Sequence, residues 1–179
     1  MIDGFPLASG FVGMTLCPGR KGPSSSGPDW ERDLNADIKR MRDWGATIVV
    51  TLTENAEMAH LGVSDLGSAV REAGMEWVHL PIFDTGQPGA TWLEQWSVAS
   101  PAIHQELKTG GRVVIHCKAG LERTALVAAL LQWEYGEDLD RAFSVIAAAR
   151  AGAFPLPNQR QWLEAHLFAA DQESGITGG

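Results

Sequence analysis

The segment "VVIHCKAGLERTALVAALL", residues 113–131, joins a β-branched run to an Ala- and Leu-rich run through a short loop. The β-branched run ends directly at Cys117, and Gly120 and Arg123 follow before the second apolar run. Short β-branched runs are typical of buried parallel strands, whereas Ala and Leu are strong helix formers. The segment therefore predicts a strand, a loop that carries Cys117, and a helix that begins near Arg123.

Strands and helices alternate on both sides of this segment. Apolar runs predict strands at residues 10–16, 47–52, 77–81 and 112–116. Periodic apolar positions predict helices at residues 29–45, 54–61, 64–73, 122–135, 138–151 and 158–170, with a further helix from residue 91. This order predicts an α/β single domain with a mostly parallel central sheet and helices on both faces. Ligands of such sheets bind at the carboxyl ends of the strands, where His116 and Cys117 lie.

Several residues predict where the helices begin and end. Asp29 is interpreted as the start of the first helix, and Gly45 as its end. Thr91 and Glu94 have the spacing of a capping box, which predicts the start of another helix. Pro101 is expected to kink or divide that helix because proline lacks a backbone N–H group.

Composition limits the classes of function. The chain has 179 residues and a formal net charge of -8, which disfavours non-specific binding to nucleic acid or anionic membranes. No apolar run is long enough to span a bilayer, and the N-terminus lacks the basic region of a secretory signal. Two cysteines, Cys17 and Cys117, are too few for a disulfide framework. We expect a reduced, cytoplasmic monomer with one domain at residues 1–170 and a flexible tail at residues 171–179.

The loop after Cys117 has the composition of an anion site. Backbone N–H groups of residues 118–123 are expected to surround a common centre, where the dipole of the following helix adds positive potential. Gly120 permits the backbone angles that such a cradle needs. Arg123 adds a planar fork that suits two oxygens of one tetrahedral anion.

A thiol in this cradle is a candidate nucleophile. The positive potential is expected to lower the pKa of Cys117 and so favour the thiolate at neutral pH. Thr124 is expected to donate its hydroxyl to that thiolate, and His116 to orient the loop through ring-to-backbone hydrogen bonds. The alternative is a buried structural cysteine beside an arginine that caps a helix.

The motif "HCKAGLERT", residues 116–124, resembles the H-C-x-x-G-x-x-R-[ST] signature of cysteine-dependent protein tyrosine and dual-specificity phosphatases. "LPIFDTGQP", residues 80–88, is similar to the acid-bearing loop of the kinase-associated group of that superfamily. Segments near both ends, at residues 16–21 and 142–163, are also similar to that group. The resemblance implies that Cys117 attacks phosphorus and that an aspartate protonates the leaving oxygen. It also implies that the phosphoryl group is bound by Lys118, Ala119, Gly120, Leu121, Glu122 and Arg123.

Asp84 is the candidate acid, because its loop follows a strand and contains glycines that suit closure over a substrate. The alternative is an aspartate that forms a turn before Thr-Gly.

Gln159 follows "PLP" where relatives carry a glutamine that positions the hydrolytic water; the alternative is an exposed helix residue. Glu122 is interpreted as tolerated beside Arg123 or as a clamp on a basic group. Lys118 is either a solvated side chain or a substrate contact.

Together these features predict a cysteine-dependent phosphomonoester hydrolase that works through a cysteinyl-phosphate intermediate without metal or organic cofactor. The expected substrate is a phosphorylated protein or a small phosphomonoester. Three alternatives stay open: a phosphoinositide or other small-molecule phosphatase, a rhodanese-like sulfurtransferase, and an inactive phosphoprotein-binding module.

Overall fold

The computed structural model describes residues 1–24 and 27–176, with side chains as far as residue 167. Its strands are β1 (Asp3–Leu7), β2 (Gly10–Thr15), β3 (Lys21–Gly22), β4 (Trp30–Glu31), β5 (Ile48–Thr51), β6 (Glu76–His79) and β7 (Arg112–His116). Its helices are α1 (Leu34–Asp43), α2 (Asn55–His60), α3 (Leu66–Glu72), α4 (Ala90–Lys108), α5 (Glu122–Glu134), α6 (Leu139–Ala149) and α7 (Pro157–Ile176).

The central sheet has the strand order β1-β2-β7-β5-β6. Strands β2, β7, β5 and β6 run parallel, and β1 pairs with β2 in an antiparallel hairpin. One core cluster joins α4, α5, α6 and α7 to the sheet, and a second joins α1, α2 and α3 to it. The prediction of a mostly parallel α/β domain with helices on both faces is confirmed.

The structure corrects two helix starts. The first helix begins at Leu34 rather than at residue 29, because the Asp33 side chain accepts a hydrogen bond from the N–H of Ala36 at 2.8 Å. Residues 30–31 instead pair with β3. The predicted capping box at Thr91 is also wrong: α4 begins at Ala90, and its N-cap, Gly89, offers no side chain.

Pro101 does not divide α4, which is one helix from Ala90 to Lys108. The helix buries Trp96, Ile103 and Leu107 along one face. This burial offsets the loss of one backbone hydrogen bond at the proline, which costs about 3 kcal/mol in a helix interior.

The last described element is α7, which reaches Ile176 and so includes residues 171–176 of the segment for which a flexible tail is predicted. Side chains beyond residue 167 lie outside the described residues, and the flexibility of the tail stays a prediction. Within the described part of the chain, no helix combines the length and the apolar character that crossing a bilayer requires.

Three of the parallel strands bring polar residues to one edge of the sheet. Thr51 of β5 lies opposite His116 of β7 on one side and His79 of β6 on the other. Cys117 follows β7 directly at this edge. The strand register therefore places the loop that carries the cysteine where ligands of parallel sheets bind.

Candidate active site

Cys117 lies at the bottom of the loop between β7 and α5. Its side chain is 2% exposed, and its Sγ accepts a hydrogen bond from the N–H of Gly120 at 3.3 Å. Gly120 has a φ of +70°, and a Cβ at this position would lie 2.2 Å from the carbonyl oxygen of Thr15. Both the backbone angle and the close approach require glycine, which fixes the curl of the loop around the thiol.

Arg150, at the end of α6, holds the outer side of this loop. Its Nε and Nη2 donate to the carbonyl oxygens of Gly120 and Ala119 at 2.6 and 3.0 Å. Its Nη1 is paired with Asp3 at 2.6 Å. Two carbonyls of the loop are therefore bound on its outer side while the N–H of Gly120 points at the thiol, an arrangement typical of an anion-binding nest. Sequence reasoning missed Arg150.

The side chain of Arg123 is buried, with 1% exposed, and several hydrogen bonds fix its position. Its Nη1 and Nη2 each donate to one oxygen of Glu57 at 2.8 Å, and Nη1 also donates to the carbonyl of Ile82 at 3.0 Å. Burial alone lowers the pKa of Arg123, but the hydrogen bonds with Glu57 and the charges of Cys117, Glu57 and Asp84 raise it above its usual value. The guanidinium is therefore a fixed, permanent cation beside the thiol.

Glu57, on the short helix α2, was not among the predicted site residues. It lies 66 positions from Arg123 and is 12% exposed. The one signal for it in the sequence is its place shortly after β5, because the carboxyl ends of parallel strands supply ligand-binding residues. Two parallel charge-assisted hydrogen bonds fix the plane of the guanidinium more firmly than a single contact.

Asp84 reaches the same site from the loop after β6. Its Oδ1 lies 2.9 Å from Nη2 of Arg123, and its Oδ2 lies 3.7 Å from Nζ of Lys118. The side chain is 42% exposed, so it has room to move. Thr85 has a φ of +62°, which is strained for a β-branched residue and is typical of functional loops. The structure therefore brings the candidate acid within reach of the cradle.

Gln159 is fully buried, so its interpretation as an exposed helix residue is wrong. Its Nε2 donates to the carbonyl of Gly86 at 2.8 Å, and its Oε1 accepts from the N–H of Leu156 at 3.0 Å. The neighbouring Asn158 donates to the carbonyl of Thr85 at 3.0 Å. The start of α7 therefore anchors the loop of Asp84.

His116 connects the cysteine to two neighbouring strands. Its Nδ1 lies 3.3 Å from the carbonyl of Cys117, and its Nε2 lies 2.8 Å from Oγ1 of Thr51. Burial lowers the pKa of His116 to about 4, so the ring is neutral and carries its single proton on Nδ1, toward the carbonyl. Thr51 then donates to Nε2, while Trp77 donates to Oγ1 of Thr51 at 2.8 Å. The expected ring-to-backbone hydrogen bond is present.

Two donors of the site have no hydrogen-bond partner among the described residues: Nε of Arg123 and the hydroxyl of Thr124. The hydrogen bond expected from Thr124 to the thiol is therefore not formed in this conformation. Glu122 makes no ion pair with any described residue, so the structure shows no clamp.

Cys17 is fully buried; burial, with the charge of Glu57, raises its pKa to about 12 and keeps it a protonated thiol.

Comparison with known proteins places this geometry in a family context. Residues 26–136 match the family model described as "Tc-R-P: Polymorphic toxin system, DSP-PTPase phosphatase". "Cyclin-dependent kinase inhibitor 3" of Mus musculus is 29% identical over 69% of this chain and 54% of its own length. "Dual specificity phosphatase 28" of Mus musculus is 33% identical over 48% of this chain and 52% of its own length. The chain spans about half the length of these curated relatives.

Two solved structures show the same fold. The crystal structure of kinase associated phosphatase, with its catalytic site cysteine replaced by serine, has a TM-score of 0.79 at 22% identity and covers 91% of both chains. Tk-PTP in its active form has a TM-score of 0.64 at 23% identity and covers 86% of this chain and 89% of its own. The predicted likeness to dual-specificity phosphatases of the kinase-associated type is confirmed.

Proposed function

Because the chain belongs to the DSP-PTPase phosphatase family of polymorphic toxin systems, we propose that it hydrolyses phosphomonoesters through a cysteinyl-phosphate on Cys117. The observation that carries the proposal is the buried Arg123, which Glu57 holds with two hydrogen bonds beside a thiol that faces a loop N–H group. A fixed fork and inward N–H groups suit the oxygens of a phosphoryl group. The unpaired Nε of Arg123 adds a donor of the same kind.

The first step forms the S–P bond. The substrate phosphoryl group binds the loop N–H groups and Arg123, and Asp84 leaves its contact with Nη2. The thiolate of Cys117 attacks phosphorus, the P–O bond to the leaving group breaks, and Asp84 gives its proton to the leaving oxygen. The N–H groups and Arg123 stabilise the negative charge on the transferred oxygens.

The second step breaks the S–P bond. The carboxylate of Asp84 accepts a proton from a water molecule, and the water oxygen attacks phosphorus. Inorganic phosphate leaves, and the thiolate is restored. Gln159 supports this step by holding the loop of Asp84, since both ends of its amide are already engaged there.

The cradle contacts only the phosphoryl group, so a phosphorylated protein and a small phosphomonoester both remain in the proposed substrate class. The two free cysteines support action in a reducing compartment such as the cytoplasm. The monomeric state stays a prediction that sedimentation analysis tests. A sulfurtransferase would transfer sulfur from thiosulfate, which a cyanide-acceptor assay measures directly.

The test uses the nucleophile and the acid. We expect Cys117→Ser to abolish turnover, because a serine hydroxyl stays protonated in the cradle. We expect Asp84→Asn to lower kcat by roughly 10²–10⁴-fold for an alkyl phosphate and much less for an aryl phosphate with an acidic leaving group. Asp65→Asn is the matched control, since Asp65 is exposed at the start of α3. Substantial turnover by Cys117→Ser, or an equal loss with both leaving groups, contradicts these roles.

A further inference from the structure

A cavity of about 330 Å³ lies between the loop of Cys117 and residues 20–23, which follow β2. Its polar lining consists of basic side chains, from Arg20, Lys21, His60 and Lys118. Cavities that bind small molecules have volumes of about 300–1,000 Å³. The cavity is therefore large enough for a ligand group, and the proposed reaction does not use it.

The cavity and the phosphoryl cradle share part of their walls. Lys118 and Ala119, the two residues after Cys117, line the cavity as well as forming the loop. Nη1 of Arg20 lies 3.4 Å from the carbonyl of Lys118, and the N–H of Cys17 lies 3.2 Å from the same oxygen. A ligand group in the cavity would therefore be separated from a phosphoryl group in the cradle only by the loop backbone at Lys118 and Ala119.

The charge of the cavity is unbalanced. No carboxylate is part of its lining, and among the described residues none lies within 4.0 Å of Arg20 or Lys21. Lys118 has one distant pair, to Asp84 at 3.7 Å. In a chain with a net charge of -8, a concave surface with cations and no lining carboxylate attracts anions.

The guanidinium of Arg20 is fixed in position and has an unpaired N–H donor. Its guanidinium lies 4.9 Å from the ring centroid of Trp30, an arrangement that fixes the plane of the group. Its Nε is buried and has no hydrogen-bond partner among the described residues. A planar fork and neighbouring ammonium groups match a phosphate dianion better than a monovalent carboxylate.

We propose that this cavity is a second phosphate subsite, which binds another phosphate group of the same small-molecule substrate whose first phosphate is hydrolysed at Cys117. The proposal rests on the proposed phosphatase activity and narrows its substrate to small bisphosphates. The shared wall at Lys118 and Ala119 requires the two phosphates to be close, which a compact molecule achieves more readily than two sites on a protein.

The experiment compares alkanediol bisphosphates of increasing chain length with the matching alkyl monophosphates. For at least one chain length, we expect kcat/KM per phosphate to exceed that of the monophosphate by about tenfold, the usual effect of a charge-assisted hydrogen bond. A soluble cyclitol bisphosphate and the same headgroup on a lipid in phosphatidylcholine vesicles distinguish a free compound from a membrane source. Equal kcat/KM at every length overturns the subsite, as does a preference only for phosphopeptides with acidic neighbours.

A pair of charge-reversal variants isolates the cavity. We expect Lys21→Glu to lower the ratio of bisphosphate to monophosphate kcat/KM by roughly fivefold or more. Lys108→Glu makes the same charge change at the exposed end of α4. The preceding Leu107 lies against Gly10, the first residue of β2, at the end of the strands away from Cys117, so this variant should leave the ratio unchanged. An equal effect of the two variants overturns the proposal, because it would reflect net charge alone.

A binding measurement separates this proposal from the phosphatase activity. With Cys117→Ser, calorimetry should show tighter binding of a non-hydrolysable alkane bisphosphonate than of the monophosphonate, and Lys21→Glu in that background should remove the difference. If wild-type protein hydrolyses neither substrate, the proposed activity is wrong, and calorimetry alone then decides the subsite. Equal affinity for the two phosphonates overturns it.

Discussion

Replacing Glu57 with glutamine tests how Arg123 is held. Glu57→Gln keeps the shape of the side chain but removes its charge and turns one acceptor oxygen into an NH₂ group. In the wild type, both oxygens accept from the guanidinium at 2.8 Å. The variant therefore retains one hydrogen bond to Arg123. At the other position, the new NH₂ group faces an N–H of the guanidinium, and neither group can accept.

The expected loss follows from the burial of the pair. Hydrogen bonds to charged groups contribute about 1.5–3 kcal/mol each, and Arg123, at 1% exposed, has no access to water as a substitute. If one such bond no longer positions the guanidinium in the transition state, kcat/KM falls by about 10- to 100-fold. Vanadate, which also needs the fork, should bind more weakly by a similar factor.

The assay measures kcat/KM on an aryl phosphate, vanadate inhibition and urea unfolding for each variant. Glu54→Gln is the matched control, because Glu54 caps the same helix without a side-chain hydrogen bond. The double variant Glu57→Gln with Arg123→Lys should lose little more than Arg123→Lys alone, since both changes act on one fork. Wild-type kcat/KM and vanadate affinity in Glu57→Gln would refute this account of Arg123.

Two further predictions concern groups outside the cradle. Arg150→Met should raise KM and weaken vanadate binding by about tenfold, because two loop carbonyls lose a charged donor; the exposed Arg141→Met is its control, and equal effects would contradict the role. Burial lowers the pKa of His116 from 6.5 to about 4, so the folded protein binds fewer protons than the unfolded chain between these values. The contribution of the neutral His116 ring to the free energy of unfolding is therefore fully present above pH 6.5. It falls by up to about 3 kcal/mol as the pH approaches 4. His116→Asn should reduce this slope in urea unfolding, whereas a slope unchanged from wild type would contradict a buried neutral ring.

The shape of the loop could be predicted from residues 116–124, because one strand–loop–helix unit contains Cys117, Gly120 and Arg123. The geometry at Cys117, Gly120 and Arg123 depends on backbone angles and on spacing within a few residues. Such local relations are present in the sequence before any tertiary contact forms. The parallel sheet was predictable for a related reason, since buried strands and amphipathic helices leave distinct periodic patterns.

The side chains that hold the loop could not be read in the same way. Glu57 lies 66 positions from Arg123, and Arg150 lies 30 positions from Gly120. A glutamate in a short helix, or an arginine at a helix end, has many ordinary surface roles, and only the packing of α2 and α6 against the loop selects these two.

The basic cavity and the continuity of α4 have the same origin in packing. Arg20 and Lys118 come together because the segment after β2 lies against the loop after β7, two strands that pair in the sheet. Pro101 remains inside a helix because the apolar face of α4 is buried against that sheet, an energy that no single stretch of sequence contains. Local backbone preference is a property of neighbouring residues, whereas burial and long-range ion pairs exist only once distant segments are packed together.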